Sequence, residues 1–249
     1  MNSSETVPGK IIRTLGVRAP LGDGDRRAIL ALPYVLRTHE PMAYIVREGE
    51  PPGKRCSFVV SGLAFRQKLT TEGARQIVSI HMAGEFLDLQ HLFLDIADHN
   101  VQALTRIEAA EVDRAALQAL VLERPVIARA MWVDALVDAS IFREWIVNIG
   151  RRTARARLAH LLCEFALRLE AAGLAPLHCY ELPMTQEQLG DALGLTPVHV
   201  NRTLKFLAEE GLIQRDKRYI RFADWDGIRA AGDFSARYLH LGQTAPLML

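Results

Sequence analysis

The stretch Leu182–Ile213, LPMTQEQLGDALGLTPVHVNRTLKFLAEEGLI, decides the reading of this chain. Thr185 is placed to cap a helix, and Gln188 three residues on completes a capping box. Leu189, Ala192 and Leu193 recur at the spacing of an inner face. Gly194 permits a sharp turn, and Thr196-Pro197 reads as an N-cap followed by a proline at the first helical position. Val200, Leu204 and Leu207 mark the buried side of a second helix, which leaves Val198, His199, Asn201, Arg202 and Lys205 on its outer side. Two helices joined this way form a helix-turn-helix, whose second helix fits the major groove of double-stranded DNA.

Downstream, Leu212-Ile213-Gln214 and Tyr219-Ile220-Arg221-Phe222 flank the charged turn Arg215-Asp216-Lys217-Arg218, two short strands with a basic tip that read as a wing. Asn201 and Arg202 are the expected base-edge contacts, with His199 and Val198 beside them, the last through thymine methyl groups. Thr185, Thr196, Lys205, Lys217 and Arg218 are the expected phosphate contacts. Between Arg151 and Arg221 eleven basic residues stand against eight acidic ones, a modest local excess on a chain whose formal net charge is only +1. The alternative is a small-molecule or redox sensor that uses its winged helix for protein contacts.

Upstream the pattern changes twice. Val126 to Asn148 contains neither Gly nor Pro and carries two apolar stripes. Val126, Ala130, Val133, Val137 and Ile141 form one, taken as the face that meets a second copy in a homodimer, and Trp132, Leu136, Ala139, Ile146 and Ile149 form the other; a helix fully buried in a monomer is the alternative, which periodicity does not separate. Gly150-Arg151-Arg152 reads as a hinge, and a further amphipathic helix runs from about Thr153 to Ala172, ended by Gly173. Before it, Asp113 caps a short helix from Arg114 to Leu122, and Pro125 separates the two. From Arg37 to Val112 short β-like runs at Ile45-Val46, Ser57–Val60, Leu63–Leu69 and Gln76–His81 alternate with Gly- and Pro-containing turns, as in a small barrel or roll.

With 49% hydrophobic and 24% charged residues, the 249-residue chain has the composition of two ordinary domains. No secretory signal or bilayer-length apolar run is recognisable, so no membrane association and a cytoplasmic location are expected. Cys56, Cys163 and Cys179 include no C-x-x-C pair, which argues against a disulfide framework and a cysteine-built metal site. No nucleophile elbow, phosphate loop or catalytic carboxylate pair is present, and no enzyme activity is expected.

With these residues in hand, the chain resembles the Crp/Fnr superfamily of bacterial transcription regulators. The likeness rests on the helix-turn-helix above and, in the sensor section, on Glu48-Gly49-Glu50, the Gly62 turn, Gly73 and Gly84-Glu85-Phe86. It implies an α+β fold: a cyclic-nucleotide-binding-like jelly roll over residues 1–125 with flanking helices, a dimerisation helix over 126–149, and a winged helix-turn-helix with a tail over 150–249. It also implies homodimerisation, promoter binding and contact with RNA polymerase. The departures bear on the effector. Cyclic-AMP-responsive members place an acid where this chain has Leu89, and an Arg-Ser pair near what is here His99-Asn100. An anionic phosphate would lose its charge-assisted partner there, so cyclic AMP is not expected as effector. The iron–sulfur branch's N-terminal cysteine cluster is missing, and Val198 stands where classical members carry Glu in the reading helix. No cofactor or metal is assigned. A haem or other effector stays open, because His81, His91 and His99 crowd one segment with Asp88, Asp95 and Asp98, although without tight ligand spacing. Cys56 beside Lys54 and Arg55 has two readings, a redox-sensitive thiolate or a buried strand residue.

Overall fold

The computed structural model describes residues 5–241, and the outermost ends of the two expected domains lie outside that range. The described chain divides into two compact units: one holds residues up to Gln67 together with Ile80–Ala139, the other Lys68–Ser79 together with Ser140–Leu241. The division falls inside the long helix rather than at its ends.

The first unit opens with two helices the sequence pattern did not announce, α1 (Val7–Arg18) and α2 (Asp23–Leu30). Thr6 caps α1 by accepting the Gly9 N–H, and Ile11 and Leu15, one turn apart, are buried. Two antiparallel sheets follow. Strands β1 (Tyr34–His39), β7 (Ile107–Asp113) and β3 (Arg55–Ser61) form one, with β7 in the centre. Strands β2 (Tyr44–Val46), β6 (Asn100–Ala103), β4 (Ala64–Leu69) and β5 (Arg75–His81) form the other, in that order. All four runs expected as strands are strands; β1, β6 and β7 add to them. The β3–β4 turn requires Gly62, at φ +87°, because a Cβ there would strike the Arg106 carbonyl. Residues from Gly84 to Leu87 run beside β3, with Gly84 and Leu87 donating to Val59 and Ser57 carbonyls.

Asp113 caps α3 (Arg114–Glu123) by accepting the Ala116 N–H at 2.9 Å, and Pro125 opens α4 (Pro125–Arg151). At 27 residues α4 is about 40 Å long, and it runs through Gly150 before breaking at Arg152. Its Ile127, Ala130 and Met131 are buried in a core shared with α1, α2, β3 and β7, and Arg18 of α1 donates to Asp134 of α4 at 3.0 Å. The stripe expected to meet a second copy is the more covered of the two. Ala130, Val137 and Ile141 are buried within the subunit, Val126 packs against the same core and Val133 is half-buried. The outward stripe is the other one, with Trp132 at 69%, Leu136 at 54% and Ile146 at 71% exposure.

The second unit is built on α5 (Ala154–Ala171), capped by Thr153. A three-stranded sheet, β8 (Cys179–Glu181), β10 (Tyr219–Phe222) and β9 (Ile213–Asp216), packs its aromatics in a chain from Phe165 through Tyr180 and Phe222 to Trp225. Helices α6 (Gln186–Leu193), α7 (Pro197–Glu209) and α8 (Trp225–Ala231) complete it, and a 3₁₀ turn over Ala236–Leu239 follows. Among the described residues no helix is long and apolar enough to cross a membrane.

One buried acid makes the first unit's stability pH-dependent. Asp88 accepts the Ser57 N–H at 2.8 Å, and burial raises its pKa from 3.8 to about 7 against the lowering effect of that bond and of Arg66. A folded-state pKa above the unfolded value means that stability is lost as pH rises from about 4 to about 7. Asn keeps the acceptor and never ionises. Asp88→Asn should therefore gain on the parent by about 1–3 kcal/mol in urea unfolding between pH 5 and pH 8. An equal difference at both values would refute the assignment.

Candidate nucleic-acid interface

The helix-turn-helix forms through the local bonds its residue types prescribe. Thr185 Oγ1 accepts the Gln188 N–H at 3.1 Å, and the Gln188 side chain accepts the Thr185 N–H at 2.9 Å. Gly194 ends α6 in the left-handed region (φ +64°, ψ +42°) and donates to the Gly190 carbonyl. Thr196 caps α7 by accepting the His199 N–H at 3.2 Å, with Pro197 at the first helical position. Sequence reasoning missed Gly190. A Cβ there would collide with the Leu195 carbonyl, and the Leu195 N–H bonds the Gly190 carbonyl at 3.0 Å. The turn closes because α6 has no side chain at that point. A glycine inside an otherwise regular helix, five residues before the turn's end, was the available signal.

Helix α7 turns Val200, Thr203, Leu204 and Leu207 inward. Val198 (79% exposed), Asn201, Arg202 and Lys205 face out, and His199 is partly covered. Thr185 and Thr196 are exposed at the N-termini of the two helices, where uncapped backbone N–H groups favour anions. Phe206, also missed, continues the outer face at 48% exposure, one turn beyond Arg202. In the wing, β9 and β10 pair from Asp216 opposite Tyr219 to Ile213 opposite Phe222, and Lys217 in the left-handed region (φ +53°) makes the two-residue turn with Arg218.

Charge on this unit is sorted by pairing. Asp191 of α6 binds Arg75 at 2.6 Å, and Glu210 binds Arg155 at 2.8 Å. Lys205 shares its outer face with Glu209 at 3.6 Å, both well exposed, which dilutes its charge. Among the described residues Arg202, Lys217 and Arg218 form no ion pair, so their charge remains available to an outside anion.

The roll lacks the family's ligand groups where they were sought but holds a cation elsewhere. Leu89 packs against the apolar core, and Asn100 accepts the Glu48 N–H at 3.0 Å. Burial lowers the His99 pKa to about 4, with Arg66 next among the causes; its neutral ring donates from Nδ1 to Asp98 at 2.6 Å and accepts from Gln90 at Nε2. Arg66 of β4 reaches into the interior, donating to the Leu87 carbonyl at 3.1 Å and lying 3.8 Å from Asp138. Its charge is taken by the protein's own acids. Among the described residues no three His, Cys, Asp or Glu side chains are placed to hold a metal ion. Cys56 is fully buried; burial, then Asp88, pushes its thiol pKa far up, the reverse of a reactive thiolate.

Comparisons with known proteins follow this division. The Crp-like helix-turn-helix domain model matches residues 156–231, and the cyclic nucleotide-binding domain model matches residues 36–124. The transcriptional activator protein FnrL of Cereibacter sphaeroides is 28% identical over 71% of this chain and 73% of its own length. The probable transcriptional regulator flp of Lacticaseibacillus casei is 30% identical over 66% of this chain and 72% of its own. The solved structure of FixK2 from Bradyrhizobium japonicum matches with a TM-score of 0.74 at 25% identity, covering 80% of this chain and 98% of that one. Roll, long helix and capped helix-turn-helix thus agree with sequence kinship, and the chain belongs to the Crp/Fnr family of DNA-binding transcription regulators, which are not enzymes.

Proposed function

We propose that the chain acts as a homodimer on a two-fold-symmetric promoter site in the cytoplasm, reading each half-site with the outer face of α7 and contacting RNA polymerase from there. The observation that carries this reading is the exposed set Val198, Asn201 and Arg202 on a helix fixed by caps at both its own start and that of α6. Arg202 suits bidentate donation to guanine, Asn201 pairing with adenine and Val198 contact with a thymine methyl. Lys217 and Arg218 at the wing tip, with Thr185, Thr196 and Lys205, suit phosphates. The dimer seam is the stripe left in water. Trp132, Ala139 and Ile146 recur every seven residues and Leu136 and Arg143 fill the alternate positions, the spacing of a two-stranded coiled coil. Cyclic AMP is not its effector, because Leu89 and His99 stand where an acid and an arginine are needed and Arg66 is already engaged.

Three measurements test these statements. Arg202→Ala should lose affinity for the operator but not for scrambled duplex, with about 1–3 kcal/mol of discrimination removed at one base pair per half-site. Lys217→Ala should weaken both duplexes alike and lower the salt slope by about one. If Arg202→Ala binds the operator as tightly and selectively as the parent, α7 is not the reading helix. Trp132→Glu with Leu136→Glu should give monomers in light scattering while Tm changes little; a persistent dimer would move the seam elsewhere. Calorimetry with cyclic AMP should show no heat of binding at micromolar concentrations, and saturable binding lost on mutating Arg66 would overturn the exclusion.

A further inference from the structure

A buried polar chain crosses the joint between α4 and α5, and neither DNA reading nor the roll accounts for it. Glu164 of α5 is buried, and its carboxylate accepts from Trp145 Nε1 of α4 at 3.0 and 3.1 Å, from Arg168 at 3.3 Å and from the Tyr238 hydroxyl at 2.7 Å. Tyr238 lies in the 3₁₀ turn beyond α8. The same segment is fastened twice more. His160, one turn before Glu164, bonds the Gly232 carbonyl through Nδ1 at 3.2 Å, stacks on the Tyr238 ring and meets Phe234 edge-on. Arg152, at the break between the helices, donates to Glu144 of α4 at 2.7 Å and to both the carbonyl and the side chain of Asp233. Asn148 of α4 adds a bond to the Arg157 carbonyl at 3.2 Å.

Proton bookkeeping identifies the bond that matters most. The Gly232 carbonyl can only accept, so Nδ1 carries the ring proton of His160. Burial, then Arg152, lowers the His160 pKa, against the carboxylates Glu164 and Glu144, and the ring is neutral with Nε2 bare at neutral pH. The single Tyr238 proton therefore has two claimants, Glu164 at 2.7 Å and His160 Nε2 at 2.9 Å. The charged carboxylate is the stronger acceptor and takes it. Gly232 permits this closeness, since a Cβ there would lie 2.7 Å from the His160 backbone nitrogen.

We propose that residues 232–239 form a strap that sets the joint between α4 and α5, so that DNA affinity depends on a segment contributing none of the DNA-facing side chains. In a dimer each α7 must meet its half-site at a fixed spacing, and a loosened joint adds an ordering cost to binding. The inference rests on the DNA-reading assignment of α7 and is tested apart from it.

Tyr238→Phe deletes the hydroxyl and keeps the ring. Hydrogen–deuterium exchange over residues 145–157 should rise at least fivefold, since these amides would open more often. Affinity for the full operator should fall about tenfold with the salt slope unchanged, while affinity for an isolated half-site stays within twofold. Exchange and operator affinity within twofold of the parent would overturn the strap. Equal loss on half-site and full operator would also overturn it, by showing support of the fold rather than of the joint. If Tyr238→Phe does not fold, His160→Asn, which keeps a donor for the Gly232 carbonyl, is read by the same criteria. Should Arg202→Ala leave operator binding untouched, the reading assignment has failed instead.

Discussion

Helix α4 is 27 residues long and apolar on two sides, and water tolerates that only when both sides are covered. One side is covered from within, by α1 and α2 folding back onto Ile127, Ala130 and Met131. The other leaves Trp132, Leu136 and Ile146 exposed. Burying a side chain of this size stabilises by about 1.5–3 kcal/mol, so in the proposed dimer a matching stripe on a second copy would supply much of the association energy from one helix. The placement of the N-terminal helices thereby decides which side of α4 stays exposed.

Inside both units the expensive items are charges rather than voids. A buried carboxylate is tolerated only with donors around it, and the two examples solve this differently. Asp88 has a backbone N–H and Arg66 nearby but still gives up part of its ionisation, with a pKa about 7. Glu164 instead collects an indole, a guanidinium and a hydroxyl from three separate segments. The first arrangement ties a roll strand to its own interior; the second ties together pieces far apart in sequence. Replacing either acid with an apolar residue would leave its buried donors unsatisfied, and in the second case it would also remove the reason why the segments meet.

The contrast between what could be read in advance and what could not follows from range. The helix-turn-helix was legible nearly to the residue because Thr185, Gln188, Gly194, Thr196 and Pro197 act on neighbours three or four positions away. The outward residues of α7 followed from the same periodicity. The two stripes of α4 could not be told apart in advance because both have helical spacing, and contacts that cover one of them come from α1, more than a hundred residues earlier. Helix α1 itself was missed: it contains two glycines and mixes polar and apolar residues, so its pattern is weak until Ile11 and Leu15 find their core. Arg66, Glu164 and Tyr238 were passed over as well, since a polar residue's burial depends on partners that sequence spacing does not reveal.

Gly190 has a genetic consequence. Any substitution there inserts a side chain against the Leu195 carbonyl and spoils the turn, yet it touches nothing in the roll or in the outward stripe of α4. In the homodimer proposed above, the altered subunit would still pair with a normal one. In a cell carrying both alleles, mixed dimers would then possess a single intact reading head, and with equal expression they would make up half of all dimers. Loss at this glycine would then leave about a quarter of the dimers intact, so the functional copy would not fully mask it.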